Sequence, residues 1–85
     1  MAYQLIILPK AEKALRKLSL EIFLKIDEAI LELPNNPRPA GCKKLSGFQD
    51  TYRIRVGNFR ILYRNEDKEL IIEVIRIADR KDVYK

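Results

Sequence analysis

The chain has 85 residues, below the usual domain size of roughly 100 to 150, so it has room for one domain (1–85) with one modest core. At 47% hydrophobic and 34% charged it is too apolar for a disordered chain and too interrupted by charge for a membrane span. Its net charge of +5 points to an anionic partner, and with no histidine and a single cysteine, Cys42, it cannot build a His/Cys metal site, a histidine-dependent triad or an internal disulfide.

In chain order, Tyr3 to Leu8 alternate weakly and stop at Pro9, which reads as a strand ending where a helix begins. Ala11, Ala14, Leu15 and Leu18 then form one apolar stripe of a helix that tolerates Pro9 in its first turn. Ser19 suits the N-cap of a second helix, with Leu18 and Phe23 spaced for a hydrophobic staple. In that helix Ile22, Phe23, Ile26, Ala29, Ile30 and Leu33 keep to one face until Pro34.

Residues 34 to 47 read as a long loop, since Pro34, Pro37 and Pro39 remove backbone donors; Leu45 is the residue expected to pin it to the core. From Phe48 the period becomes two. Tyr52, Ile54 and Val56 oppose Arg53 and Arg55 in parity; after Gly57-Asn58, Phe59, Ile61 and Tyr63 alternate with Arg60, Leu62 and Arg64. This is a β-hairpin with a two-residue type II′ or I′ turn, so Val56 should face Phe59 and Arg55 should face Arg60. Leu70 to Ile77 is apolar on both faces for most of its length and fits a central strand, after which Asp79 could cap a single helical turn.

The expected architecture is therefore α+β, in the order β-α-α-β-β-β, with two helices covering one face of an antiparallel sheet. The other face would present Arg53, Arg55, Arg60 and Arg64. Seven basic residues and one acid lie between Arg38 and Arg64, whereas the remainder carries ten basic and eleven acidic residues, so the cationic excess is local. Opposed arginines repel across a strand pair unless an anion sits between them. Tyr52, Phe59 and Tyr63 share the parity of the core, and Cys42, in a Pro/Gly-rich stretch, is assigned no role.

The run Tyr52-Arg53-Ile54-Arg55-Val56-Gly57-Asn58-Phe59-Arg60-Ile61-Leu62-Tyr63, followed by an apolar strand and Ile77-Ala78-Asp79-Arg80-Lys81-Asp82-Val83-Tyr84, resembles the RelE/ParE superfamily of bacterial and archaeal toxins. Arg60, Arg80 and Tyr84 favour the RelE branch, whose members cut messenger RNA in the ribosomal A site, over the ParE branch, which poisons DNA gyrase. A plain RNA-binding module is the third reading. The RelE resemblance implies attack of a ribose 2′-hydroxyl on the adjacent phosphorus, giving a 2′,3′-cyclic phosphate without a metal or other cofactor. It implies catalytic roles for Arg60, Arg80, Tyr84 and Arg55, and RNA contacts by Arg53, Lys43, Lys44 and Arg64. Where Arg55 stands, RelE members can carry a lysine, a candidate general base; arginine stays protonated, so either Tyr84 accepts the proton or electrostatic alignment carries the rate. Asp79 replaces a histidine or lysine common before this arginine. The implied partners are a RelB-like antitoxin in a hetero-oligomer, the ribosome and mRNA, and no membrane. The amino terminus lacks a basic region followed by an apolar stretch, so the cytosol is the expected compartment.

Overall fold

Gln4–Ile7 form β1, Pro9–Arg16 α1, Leu20–Glu32 α2, Lys43–Lys44 β2, Thr51–Val56 β3, Phe59–Glu66 β4 and Ile71–Asp79 β5 in the computed structural model, which describes residues 2–79. Pro9 occupies the first turn of α1, where its missing N–H would have had no helical partner. Ser19 has the extended geometry of an N-cap, but its hydroxyl makes no capping bond; its backbone carbonyl accepts the Phe23 N–H at 2.8 Å instead. Leu18 and Phe23 both pack against the core, as a staple requires.

The strands form one sheet in the order β1-β5-β4-β3-β2. The α+β class and the paired helices follow the sequence expectation, and β2 to β5 are antiparallel. The sheet as a whole is mixed, because β1 lies parallel to β5 from Gln4↔Ile71 to Ile7↔Val74. A parallel pair needs a long crossover, and the intervening helices and hairpin supply it. β5 thus lies between β1 and β4, which explains its apolar residues on both faces.

The helices cover one face of the sheet. Ala11 and Leu15 from α1, Ile26 and Ile30 from α2, and Leu33 after it meet Ile54, Ile61, Tyr63, Ile72, Val74 and Ile77 in one buried cluster. Each fully buried aliphatic side chain there contributes about 1.5–3 kcal/mol relative to exposure. On its outer side α2 leaves Leu20 and Leu24 exposed at 73% and 56%.

The loop expected between residues 34 and 47 contains β2, a two-residue edge strand that pairs Lys43 with Arg53 and Lys44 with Tyr52. Leu45, expected to pin the loop, is not among the residues packed on the core; its N–H donates to the Thr51 carbonyl at 2.9 Å, and other side chains hold the rest of the loop. Tyr63 Oη donates to the Pro37 carbonyl at 2.6 Å, and Arg38 donates to Asn65 Oδ1 at 2.6 Å while its guanidinium lies over the Tyr52 ring, 5.9 Å from the centroid.

The same clip reaches Tyr3 and Asp67. Tyr3 Oη and Asn65 Nδ2 donate to Asp67 Oδ1 at 2.7 and 3.0 Å, and Arg38 lies 3.5 Å from Oδ2. The Tyr3 hydrogen bond first, and the Arg38 charge after it, hold the Asp67 carboxyl below the ordinary aspartate range. Because the folded value is the lower one, the resulting stabilisation is present above about pH 4 and lost as pH falls through the folded pKa. Asp67→Asn is therefore expected to be less stable than the parent at pH 7, with the gap closing on acidification below about pH 4. Denaturant unfolding across that range checks this; a gap independent of pH would remove the ionised carboxylate from the account.

Candidate nucleic-acid interface

Gly57 and Asn58 connect β3 to β4. Gly57 has φ +60° and Asn58 is not among the residues of positive φ, the sign pattern of a type II′ turn, whose twist matches that of the flanking strands. The resulting register pairs Val56 with Phe59, Arg55 with Arg60, Arg53 with Leu62 and Thr51 with Arg64, as the turn length required. Directly opposed residues share a face. Arg53, Arg55, Arg60 and Arg64 thus lie together on the face away from the helices, and Lys43, opposite Arg53, joins them. Lys44, opposite Tyr52, points to the other side of the edge.

The basic residues differ in exposure and in partners. Arg55 is exposed and Arg53 half-buried. Arg60, expected in solvent, is only 5% exposed, on the strand that lies between β3 and β5. Arg64 Nε donates to Glu73 at 2.8 Å and its Nη1 to Glu66 at 3.1 Å, and Arg38 is drawn to Asp67. Two charges of the cationic segment are thus neutralised internally. Among the described residues the ion pairs involve Arg16, Arg38 and Arg64, and Arg53, Arg55 and Arg76 take part in none of them.

Arg76 is the residue that sequence reasoning missed. Simple alternation along β5 places it with Ile72 and Val74, in the core. The pairing of β4 with β5 slips between Leu62 and Tyr63: Leu62 opposes Arg76, Tyr63 opposes Val74, and Ile75 has no partner. That bulge inverts the parity of the strand. Ile77 therefore stays in the core, while Arg76 and Ala78 come to the basic face beside Leu62 and Arg60. The available signal was the spacing of Glu73 and Arg76, three apart in a mostly apolar strand, which strict alternation cannot place on one face.

Arg53, Arg60 and Arg76, with Leu45, Leu62 and Ala78, line a depression of about 190 Å³ on this face. A smaller one of about 30 Å³ lies at the hairpin end between Arg55, Arg60 and the turn. Several guanidinium groups held on one sheet face by backbone register form a preorganised donor array for an anion with several oxygens. Tyr63 belongs to the opposite face, stacked on Tyr52 with centroids 5.9 Å apart; burial first, and the Cys42 thiol beside it, push its phenol well above the ordinary tyrosine range. Phe48 is exposed in the turn before β3. Arg80 and Tyr84 lie outside the described residues.

Comparison with known proteins places this geometry. Residues 5–84 match the family model described as the ParE toxin of the type II toxin-antitoxin system parDE. A putative toxin RelE1 of Methanocaldococcus jannaschii is 36% identical over 64 residues, 72% of this chain and 71% of that protein. A putative RelE-like toxin protein of Escherichia coli is 33% identical over 99% of this chain and 92% of its own length. Among solved structures, the archaeal RelE–RelB complex from Pyrococcus horikoshii superposes with a TM-score of 0.84 at 28% identity, covering 94% of this chain and 97% of that one. The isolated E. coli RelE toxin gives 0.81 at 29% identity, covering 98% and 92%. By sequence and by fold alike, the chain belongs to the RelE/ParE family of toxins of type II toxin–antitoxin systems.

Proposed function

We propose that this toxin is a metal-independent endoribonuclease that cuts mRNA on the ribosome and so stops translation. The observation that carries the reading is the placement of Arg53, Arg55 and Arg60 together on the sheet face away from the helices, with Arg53 and Arg55 taking part in no ion pair among the described residues. In the reaction the 2′-oxygen forms a bond to phosphorus as the bond to the 5′-oxygen breaks. The 2′-hydroxyl proton leaves, a proton reaches the 5′-oxygen, and the products are a 2′,3′-cyclic phosphate and a 5′-hydroxyl. What the protein must supply is alignment and stabilisation of charge on the phosphoryl oxygens.

Arg60 serves on the scissile phosphate, where its low exposure strengthens each charge-assisted hydrogen bond. Arg53 and Arg55 hold flanking phosphates, with Arg55 next to the reacting group, and Lys43 extends the track along the edge, whereas Lys44, on the other side of that edge, stands outside it. Arg64 shares its guanidinium with Glu66 and Glu73 and is the weakest of these contacts. Arg80 stabilises or protonates the leaving oxygen and Tyr84 stacks on the cleaved nucleotide. A RelB-like antitoxin is the natural partner: solved neighbours are RelE–RelB complexes, and the apolar outer side of α2 at Leu20 and Leu24 suits a protein surface.

The family model's ParE name sustains the second reading, inhibition of gyrase. One experiment separates the two. Purified chain added to a translating extract should produce cuts in ribosome-bound mRNA with codon periodicity and 5′-hydroxyl ends. Blocked supercoiling by gyrase with intact mRNA would transfer the chain to the other branch.

A further inference from the structure

The helical layer carries apolar surface and charge that the RNA face does not use. Among the described residues four large apolar side chains are exposed, and three of them, Leu20, Leu24 and Leu31 at 73%, 56% and 57%, belong to α2. Exposure without a purpose would scatter them. With Asp27 they are spaced four, three and four apart, the seam of a helix that packs on another helix, on the side of α2 away from its buried Ile26 and Ile30. Beside this ridge, between α1 and α2, runs a groove of about 470 Å³ lined by Leu15, Leu18 and Phe23 together with Arg16 and Asp27. Leu20 borders both. One chain thus carries a ridge and a groove side by side, and a two-fold axis parallel to them exchanges the two.

Charge decides what covers them. From Pro9 to its cap Lys17, α1 carries Lys10, Lys13, Arg16 and Lys17 against Glu12, a net +3, whereas α2 carries Glu21, Asp27, Glu28 and Glu32 against Lys25, a net −3. Apart from the Arg16–Glu12 bridge inside α1, none of these groups joins an ion pair among the described residues. An acidic polypeptide laid on this layer would be repelled by α2, and a basic one by α1. A second copy of the chain matches both. At about 100° per residue, Glu21 and Glu28 fall on the flank of the ridge opposite Asp27, and so away from their own α1. When the ridge enters the groove of another copy, that flank comes against the α1 of that copy, where Lys13 and Arg16 stand away from the buried Ala11 and Leu15.

We infer that the free chain pairs with a second copy of itself through the helical layer, the leucine ridge of each α2 seated in the α1–α2 groove of the other and the acidic flank of α2 set against the basic α1. The interface is isologous, so each attraction occurs twice. Because the helices cover one side of the sheet, the two arginine-bearing faces look outward from the pair and both stay open to RNA. The inference does not depend on the ribonuclease reading, and either can fail without the other.

Sedimentation velocity of the full chain over a dilution series tests the pairing. The parent should pass from one copy to two with a dissociation constant of about 10–100 μM, as suits an interface at the small end of the size range. Leu24→Asp, at an exposed position, should weaken pairing at least about tenfold. Charge reversal gives the sharper comparison. One variant carries Glu21→Lys with Glu28→Lys, the other Lys13→Glu with Arg16→Glu. Each alone sets like charges against each other and should stay monomeric; mixed one to one, the two should pair with about the affinity of the parent, since each then meets its opposite. Circular dichroism verifies that all variants fold. A parent still monomeric at about 300 μM would overturn the inference and leave the face to a different partner. Leu24→Asp pairing as well as the parent, or folded reversed variants that ignore each other in the mixture, would overturn it too.

Discussion

Arg60→Ala is expected to lower mRNA cleavage by about 10²–10³-fold, the range found when one charge-stabilising donor is removed from a transition state. The size of the effect follows from where Arg60 stands. Its strand is the middle one of the hairpin and β5, its exposure is 5%, and the register sets it directly across from Arg55 on one side and Ala78 on the other. The guanidinium is thus already desolvated and positioned before substrate arrives, so little reorganisation is left for the chemical step. Arg55→Ala, on the exposed neighbour, should cost less, because solvent can replace much of what it supplies. Single-turnover cleavage at saturating ribosomes separates the chemical loss from weakened binding, and circular dichroism verifies that Arg60→Ala folds. A variant that is folded and as active as the parent would remove Arg60 from the reaction.

Much of this placement was legible in the chain before its structure. Gly57-Asn58 leaves two residues between alternating runs, and a two-residue turn admits one register, so the Arg55–Arg60 and Val56–Phe59 pairs followed from spacing alone. The side of the sheet on which Ile54, Ile61 and Tyr63 are buried followed from the same parity. Features made by residues distant in sequence were not legible. The parallel pairing of β1 with β5 joins the two ends of the described chain and leaves no local pattern. β2 is two residues long, too short to show a period. The internal neutralisation of Arg38 by Asp67 reaches across most of the hairpin. The decisive omission was Arg76, because one unpaired residue, Ile75, reverses the meaning of every position before it relative to those after it. Alternation is a reliable guide only as far as the first bulge.

Tyr63→Ala should be the most destabilising single change on the opposite face, by about 3–5 kcal/mol if it behaves like other buried aromatic truncations. Tyr63 is fully buried in the middle of β4, stacks on Tyr52 with an interplanar angle of 24°, and its hydroxyl holds the Pro37 carbonyl at 2.6 Å. Truncation opens a cavity beneath the helices, removes the stack and leaves that carbonyl without this donor. Because burial keeps the phenol protonated, the hydroxyl remains a donor throughout the neutral range. For a chain of this length, whose total stability is expected to be about 4–13 kcal/mol, such a loss should lower the melting temperature by more than about 10 °C. Tyr63→Phe separates the parts. It keeps the ring and deletes only the hydroxyl, so it should cost about 1–2 kcal/mol and leave RNA affinity unchanged, since the basic residues lie on the other side of the sheet. Denaturant unfolding of both variants measures the split. If Tyr63→Phe proves as damaging as Tyr63→Ala, the bond to Pro37 rather than the packed ring holds the proline-rich loop in place; if it lowers RNA affinity, the two faces of the sheet are coupled and the site cannot be treated as an independent surface.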